Sequence, residues 1–371
     1  MEMEKLLSLC RSVVGDRLTD EEVKQIAGKI TLREEEKLET FVTPDPHEFE
    51  GLSRRKNELL IDNNWNRERK DIVNIEVLFG DYLPGIDDTY EYMDDGDNED
   101  TIEEHVMSDF SLNQVQVALI DEDYSDTFNE IGVEEHAKII AVYLPEEKAY
   151  PDNLRFKEMV LEERAKQLFE EIKKEVKYRL NDKQIKEIVE KINLEGEFPE
   201  VEVIRNPDWF ETSTRPEKEM LKDDVSDSYS ESVTKTDVLL GDYEPGKEYL
   251  YEHVKSIDAT ETEVEHEMGD FFVNKPQVAL VDDKHTEYID YSEFSDSPCT
   301  RLSTKTVVIY IPNERLYREN LKFSELVKKF RKKDASEISE DLAEKSRISL
   351  GVSALNELTK TQIKKDQESE R

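Results

Sequence analysis

The sequence predicts an α+β fold made twice: a tandem duplication of a roughly 160-residue unit, with helices flanking a small mixed or antiparallel sheet. The main evidence is internal agreement. Residues 77–93 (VLFGDYLPGIDDTYEYM) match residues 238–254 (VLLGDYEPGKEYLYEHV) at nine of seventeen positions. Residues 105–122 match 266–283 at ten of eighteen, again at an offset of 161. Two more pairs, 17–30 with 179–192 and 142–156 with 309–323, keep the same order at offsets of 162 and 167. Collinear blocks with a drifting offset are what copying followed by short loop insertions leaves behind. Units of this length are too long for solenoid repeats. The expected organisation is a first α+β unit over 1–162, a second over 163–330, and a charged tail over 331–371. The tail reads as partly helical or disordered, with an amphipathic stretch over 350–363.

Each unit opens with helical spacing. Val23, Ile26 and Ile30 lie on one helical face, as do Ile185, Ile188 and Ile192, and Thr19-Asp20 and Asn181-Asp182 stand ready as N-caps. Residues 155–192 read as two Glu/Lys-rich helices divided near 180–182. Strand candidates follow at 72–79, 115–120 and 138–144, and again at 233–240, 277–281 and 306–311. The repeated Gly-Asp-Tyr-x-Pro-Gly at 80–85 and 241–246 marks a sharp turn, with Tyr82 and Tyr243 as packing anchors whose hydroxyls stay wet. Pro145 and Pro312 close the last strands. Residues 87–104 hold ten Asp or Glu and read as a solvated acidic loop; 210–236 reads as a mobile linker.

Composition excludes several functions. The 371 residues include 90 Asp and Glu against 51 Lys and Arg, a formal charge of -39. Such a surface repels phosphate backbones and anionic membranes, so neither direct nucleic-acid binding nor membrane docking is expected. No apolar run reaches the ~20 residues of a membrane span. Cys10 and Cys299 form no CxxC pair or disulfide framework, and the start lacks a signal-peptide pattern, so a soluble protein of the cytoplasm or a virion is expected. The acidity has three readings: salt adaptation of a halophile, archaeal or viral in origin; recognition of a basic protein partner, extending to imitation of nucleic acid; or simple solubility. Oligomeric state is open.

Candidate chemistry is sparse. The repeated His-x-x-x-Asp, His105 with Asp109 and His266 with Asp270, would share a face if helical, and a divalent metal would then find paired ligands, with Asp121 and Asp282 nearby. An EF-hand frame with Gly96 sixth puts Met93 and Ile102 at ligand positions, which neither can serve. HExxH, phosphate-binding glycine motifs and GxSxG are all missing. The sequence thus points to a non-catalytic binding or assembly protein acting through surfaces shared by two similar domains, with no cofactor. A metal-dependent hydrolase built on His105, Asp109, His266 and Asp270 is the alternative, and a nucleic-acid-mimicking binder of a basic protein is another.

Overall fold

A computed structural model describes residues 3–31, 38–62, 65–94, 98–146, 148–223, 228–256, 259–289, 298–313, 316–317 and 320–332. The first half runs α1 (Met3–Val14), α2 (Asp20–Lys29), β1 (Leu38–Thr43), α3 (Pro46–Ser53), β2 (Arg55–Asp62), β3 (Arg67–Phe79), β4 (Ile86–Asp94), β5 (Asn98–Val106), β6 (Gln116–Phe128) and β7 (Ile131–Tyr143). The second runs α4 (Phe156–Val176), α5 (Asp182–Val189), β8 (Glu200–Ile204), α6 (Pro207–Ser213), β9 (Glu217–Asp223), β10 (Ser228–Leu240), β11 (Lys247–Ser256), β12 (Ala259–Glu267), β13 (Gln277–Ile289), β14 (Pro298–Tyr310) and α7 (Phe323–Lys332).

The helices start where side chains can cap them. Thr19 and Asn181 each complete a capping box, with Glu22 and Gln184 reaching back to the cap. The strands form two mixed seven-stranded sheets, ordered β1-β7-β6-β3-β2-β4-β5 and β8-β14-β13-β10-β9-β11-β12. The strand order is the same in both, and β3 and β10 carry a register shift at the same place, Val77/Phe79 and Val238/Leu240. Seven strands make each sheet larger than the small sheet expected. One parallel bridge, Arg301 to Ile102, joins the two sheets through β14 and β5.

Alternation along the central strands divides the core into clusters. In the first half Val117, Leu119, Ile140 and Val142 pack with Leu6, Cys10 and Val14 of α1 and Val23, Ile26 and Ala27 of α2. The intervening Ala118, Ile120, Ala141 and Tyr143 pack instead with Phe49 of α3 and with Phe110 and Phe156. The second half divides in the same way, α4 and α5 meeting Val278, Val307 and Ile309 while Phe210 and Phe323 meet Ala279, Val308 and Tyr310. A two-residue period with both faces covered produces this pattern. Helix α4 serves both halves: Phe156 belongs to a first-half cluster, whereas Leu168, Ile172 and Val176 belong to the second. The expected unit limit at 162/163 therefore falls inside one continuous helix.

Several expected loops are strands. The acidic stretch 87–104 is mostly the antiparallel hairpin β4–β5, and its counterpart is β11–β12. Residues 210–236 hold the end of α6, all of β9 and most of β10 rather than a linker. Apart from Phe210, Glu211 and Thr214 at the end of α6, none of their side chains whose burial is described is buried, so no apolar alternation is imprinted, and neighbouring strands supply the pairing. Gly96 and the stretch 350–363 lie outside the described residues. Among the described residues no helix is long and apolar enough to cross a membrane.

The turns after β3 and β10 require glycine. Gly80 and Gly241 have φ of +98° and +108°. A Cβ at either would overlap Oε1 of Gln116 or Gln277, the atom that accepts the Asp81 or Asp242 N–H at 2.9 and 2.8 Å. Gly241→Ala should therefore lose at least ~1–3 kcal/mol in urea unfolding. Gly51→Ala, where a Cβ meets nothing within 4 Å, is the control and should be neutral or slightly stabilising.

Candidate functional site

The most distinctive polar arrangement is an ion-pair cluster that occurs once in each half. It begins on the short helices α3 and α6. Asp45 and Asn206 cap them by accepting from the N–H groups of His47 and Asp208, and Pro46 and Pro207 occupy the first turn. Phe49 and Phe210 anchor the helices in the aromatic core, fully buried. That anchoring turns the following residue, Glu50 or Glu211, toward the β4–β5 or β11–β12 hairpin. Arg54 and Arg215 follow four residues later, one helical turn away.

In the first half Arg54 donates to Glu50 from Nε at 2.8 Å and to both oxygens of Asp87 at 2.8 and 3.0 Å. His105 donates from Nδ1 to Asp87 at 2.9 Å, and that bond above all raises its pKa from the ordinary value. Ser108 Oγ donates to Glu50 at 3.1 Å and accepts the Gly85 N–H at 2.7 Å. Below it, the Tyr82 hydroxyl donates to the Ser53 carbonyl at 2.8 Å. In the second half Arg215 donates to Glu211 at 3.0 and 2.5 Å, to Glu248 at 2.6 Å and to His266 Nδ1 at 2.7 Å. Glu211 also accepts the buried Gly269 N–H at 3.0 Å. Tyr243 donates to the Thr214 carbonyl at 3.2 Å, and burial pushes its pKa up to about 12.

Tyr82 and Tyr243 are packing anchors, but their hydroxyls are buried and bonded to backbone rather than wet. Burial shields the carboxylates too: the Glu211 side chain is 3% exposed and Arg215 10%, against 11% and 25% for Glu50 and Arg54. Every charged member is matched. The cluster clamps a helix to a turn and a hairpin, and offers no unengaged base beside a nucleophile.

A second repeated arrangement surrounds the Gly-Asp-Tyr turn. Partial burial opposes ionisation of Asp81, but hydrogen bonds from Ser111, Gln116 and Arg155 outweigh it and hold the pKa at about 2. The unfolded value is near 3.8, so ionised Asp81 contributes stability above that pH, and the contribution fades as pH falls from about 4 to 2. Asp81→Asn should flatten this part of the acid unfolding curve, measured as urea midpoints at pH 5, 4, 3 and 2. An unchanged slope would mean that the turn does not hold Asp81 ionised.

The four predicted ligands take separate partners. The His-x-x-x-Asp stretch is not helical: β5 and β12 end at Val106 and Glu267, and Asp109 and Asp270 sit in isolated bridges to Leu83 and Glu244. His105 meets Asp87 and His266 meets Arg215, not the aspartates four residues on. Asp109 accepts from Arg155 Nε at 2.6 Å; Asp270 accepts the Ser324 N–H at 3.0 Å at the start of α7 and pairs with Lys322 at 3.1 Å. Asp121 pairs with Lys138 and Asp282 with Lys284. Among the described residues no group of three or more His, Cys, Asp or Glu is placed to hold a metal ion.

Glu50, Arg54, Glu211 and Arg215 were not among the candidates, although a signal existed. Asp45-Pro-His-Glu-Phe-Glu-Gly-Leu-Ser-Arg54 faces Asn206-Pro-Asp-Trp-Phe-Glu-Thr-Ser-Thr-Arg215 at the offset of 161, sharing Pro, Phe, Glu and Arg. The chain matches no protein-family model, no curated protein and no solved structure.

Proposed function

We propose that this chain is a highly acidic, non-catalytic binding or assembly protein whose two halves, copies of one ancestral unit, present related surfaces to a protein partner. One observation supports this above the rest: among the described residues, the carboxylates, arginines and histidines of the two repeated clusters are engaged in fold-holding ion pairs, whereas the long strands reach beyond the core. In β6 burial runs from complete at Gln116–Ile120 to exposed at Thr127 and Phe128, and β7 mirrors it. At that far end Trp65 stacks on Phe128 with centroids 6.5 Å apart, and Ile131 and Val133 are exposed. An apolar tip on a surface of net charge -39 suits contact better than catalysis.

The test combines affinity capture with metal analysis. Immobilised full chain should retain a protein partner at low salt and release it as salt rises. Retention of none overturns the reading. Stoichiometric metal in gently purified protein, lost in His105→Ala or His266→Ala, would favour the metal-dependent hydrolase alternative instead.

A further inference from the structure

We infer that the outer edge of β12 is a docking strand for an extended, basic segment of a partner protein, which adds to the second sheet as a further strand. This rests on the binding reading above and gives it a place and a chemistry. Strand β12 ends its sheet, and among the described residues it pairs with β11 alone. An open edge offers a row of backbone donors and acceptors to an incoming strand. Beside it lies a shallow groove. Lys218 and Met220 of β9, Tyr249 to Tyr251 of β11 and Glu263 to Glu265 of β12 line it, so the strand order sets the tyrosines as its floor between β9 and a carboxylate rim on β12. The register places Lys218, Tyr249 and Glu265 in one row and Met220, Tyr251 and Glu263 in the next. Lys218 is neutralised by Glu231 at 2.8 Å. Glu263 and Glu265 are exposed. Lys222 Nζ already lies 5.9 Å from the Tyr251 ring centroid, so this floor accepts a cation.

The molecule contains its own example of the occupant. Strand β5, at the same place in the first sheet, is met at one position: Ile102 bridges Arg301 of β14 in parallel. The β14 segment there, 298–306, reads PCTRLSTKT, with Arg301 and Lys305 and no acid. At the offsets of the aligned blocks, Ile102 corresponds to Glu263 and Arg301 to Glu134. A second copy of this chain docking in the same way through β7 would set Glu134 opposite Glu263, a like-charge pair that disfavours self-assembly. A strand with Lys or Arg on one face, as Arg301 and Lys305 stand in 298–306, instead meets the carboxylate rim and the tyrosine floor.

The test titrates the full chain with a labelled peptide of residues 298–306 (Cys299→Ser) and with a charge-swapped version (Arg301→Glu, Lys305→Glu). The basic peptide should bind and protect β12 amides from hydrogen exchange. The variant Glu263→Lys/Glu265→Lys should weaken it at least about tenfold, and the swapped peptide should not bind. No binding, equal binding of both peptides, unchanged affinity in the variant, or protection confined to β5 would each overturn the inference. So would self-association by sedimentation that the variant abolishes, since the occupant would then be a second copy. If peptide docking fails while affinity capture still retains a salt-released partner, the broader reading stands and only this edge is wrong.

Discussion

Arg215→Ala should destabilise the protein by ~3–5 kcal/mol in urea unfolding, because it strands a buried charge. Glu211 is 3% exposed and its remaining partner is the Gly269 N–H. Its desolvation is tolerable only while the guanidinium donates through two nitrogens. Arg54→Ala, in the more open first-half cluster, should cost less, ~1.5–3 kcal/mol, since solvent reaches the abandoned carboxylates. Replacing both partners, Glu211→Gln with Arg215→Met, should cost less than Arg215→Ala alone, as an uncharged pair leaves no orphan ion. Equal costs for Arg54→Ala and Arg215→Ala, or a double variant worse than the single, would show that burial is not what sets the energetics.

Phe110→Ala and Phe271→Ala should each lose ~3–5 kcal/mol, and by similar amounts. Both rings are fully buried. Phe110 lies 4.9 Å from Phe156 in a stacked contact and 5.3–5.5 Å from Phe49, Tyr82 and Tyr143. Phe271 repeats this with Phe323 at 5.2 Å and with Phe210, Tyr243 and Tyr310 at 5.3–5.6 Å. Truncation leaves a ring-sized cavity that the four remaining packed aromatics cannot collapse around. The two clusters share no residue, so the double variant should be additive within ~0.5 kcal/mol. A strongly non-additive result would mean that the halves are energetically coupled through α4 or the β5–β14 bridge. Unfolding followed by tyrosine fluorescence and far-UV circular dichroism reads both outcomes.

Much of this was legible in the chain. The capped starts at Thr19 and Asn181, the division of 155–192 into two helices and the six apolar strand cores all depend on local spacing, and all recur in the structure. Local spacing is readable because a buried face imprints its period on the sequence. The edge hairpins left no imprint: among the residues of β4, β5, β11 and β12 whose burial is described none is buried, and their acid-rich composition resembles a loop. The candidate histidines were visible, but their partners were not. His105 meets a strand 18 residues earlier, and Arg215 reaches 33 residues forward to Glu248 and 51 to His266.

The sequence by itself determined that two stretches of this chain carry the same helices, turns and central strands in the same order, because those features are written in neighbouring residues. Only the tertiary structure decided which charges pair, which acidic segments become strands, and which strand ends its sheet among the described residues. Those outcomes depend on what lies across the sheet, and backbone pairing between distant strands leaves no spacing rule in the residues that take part.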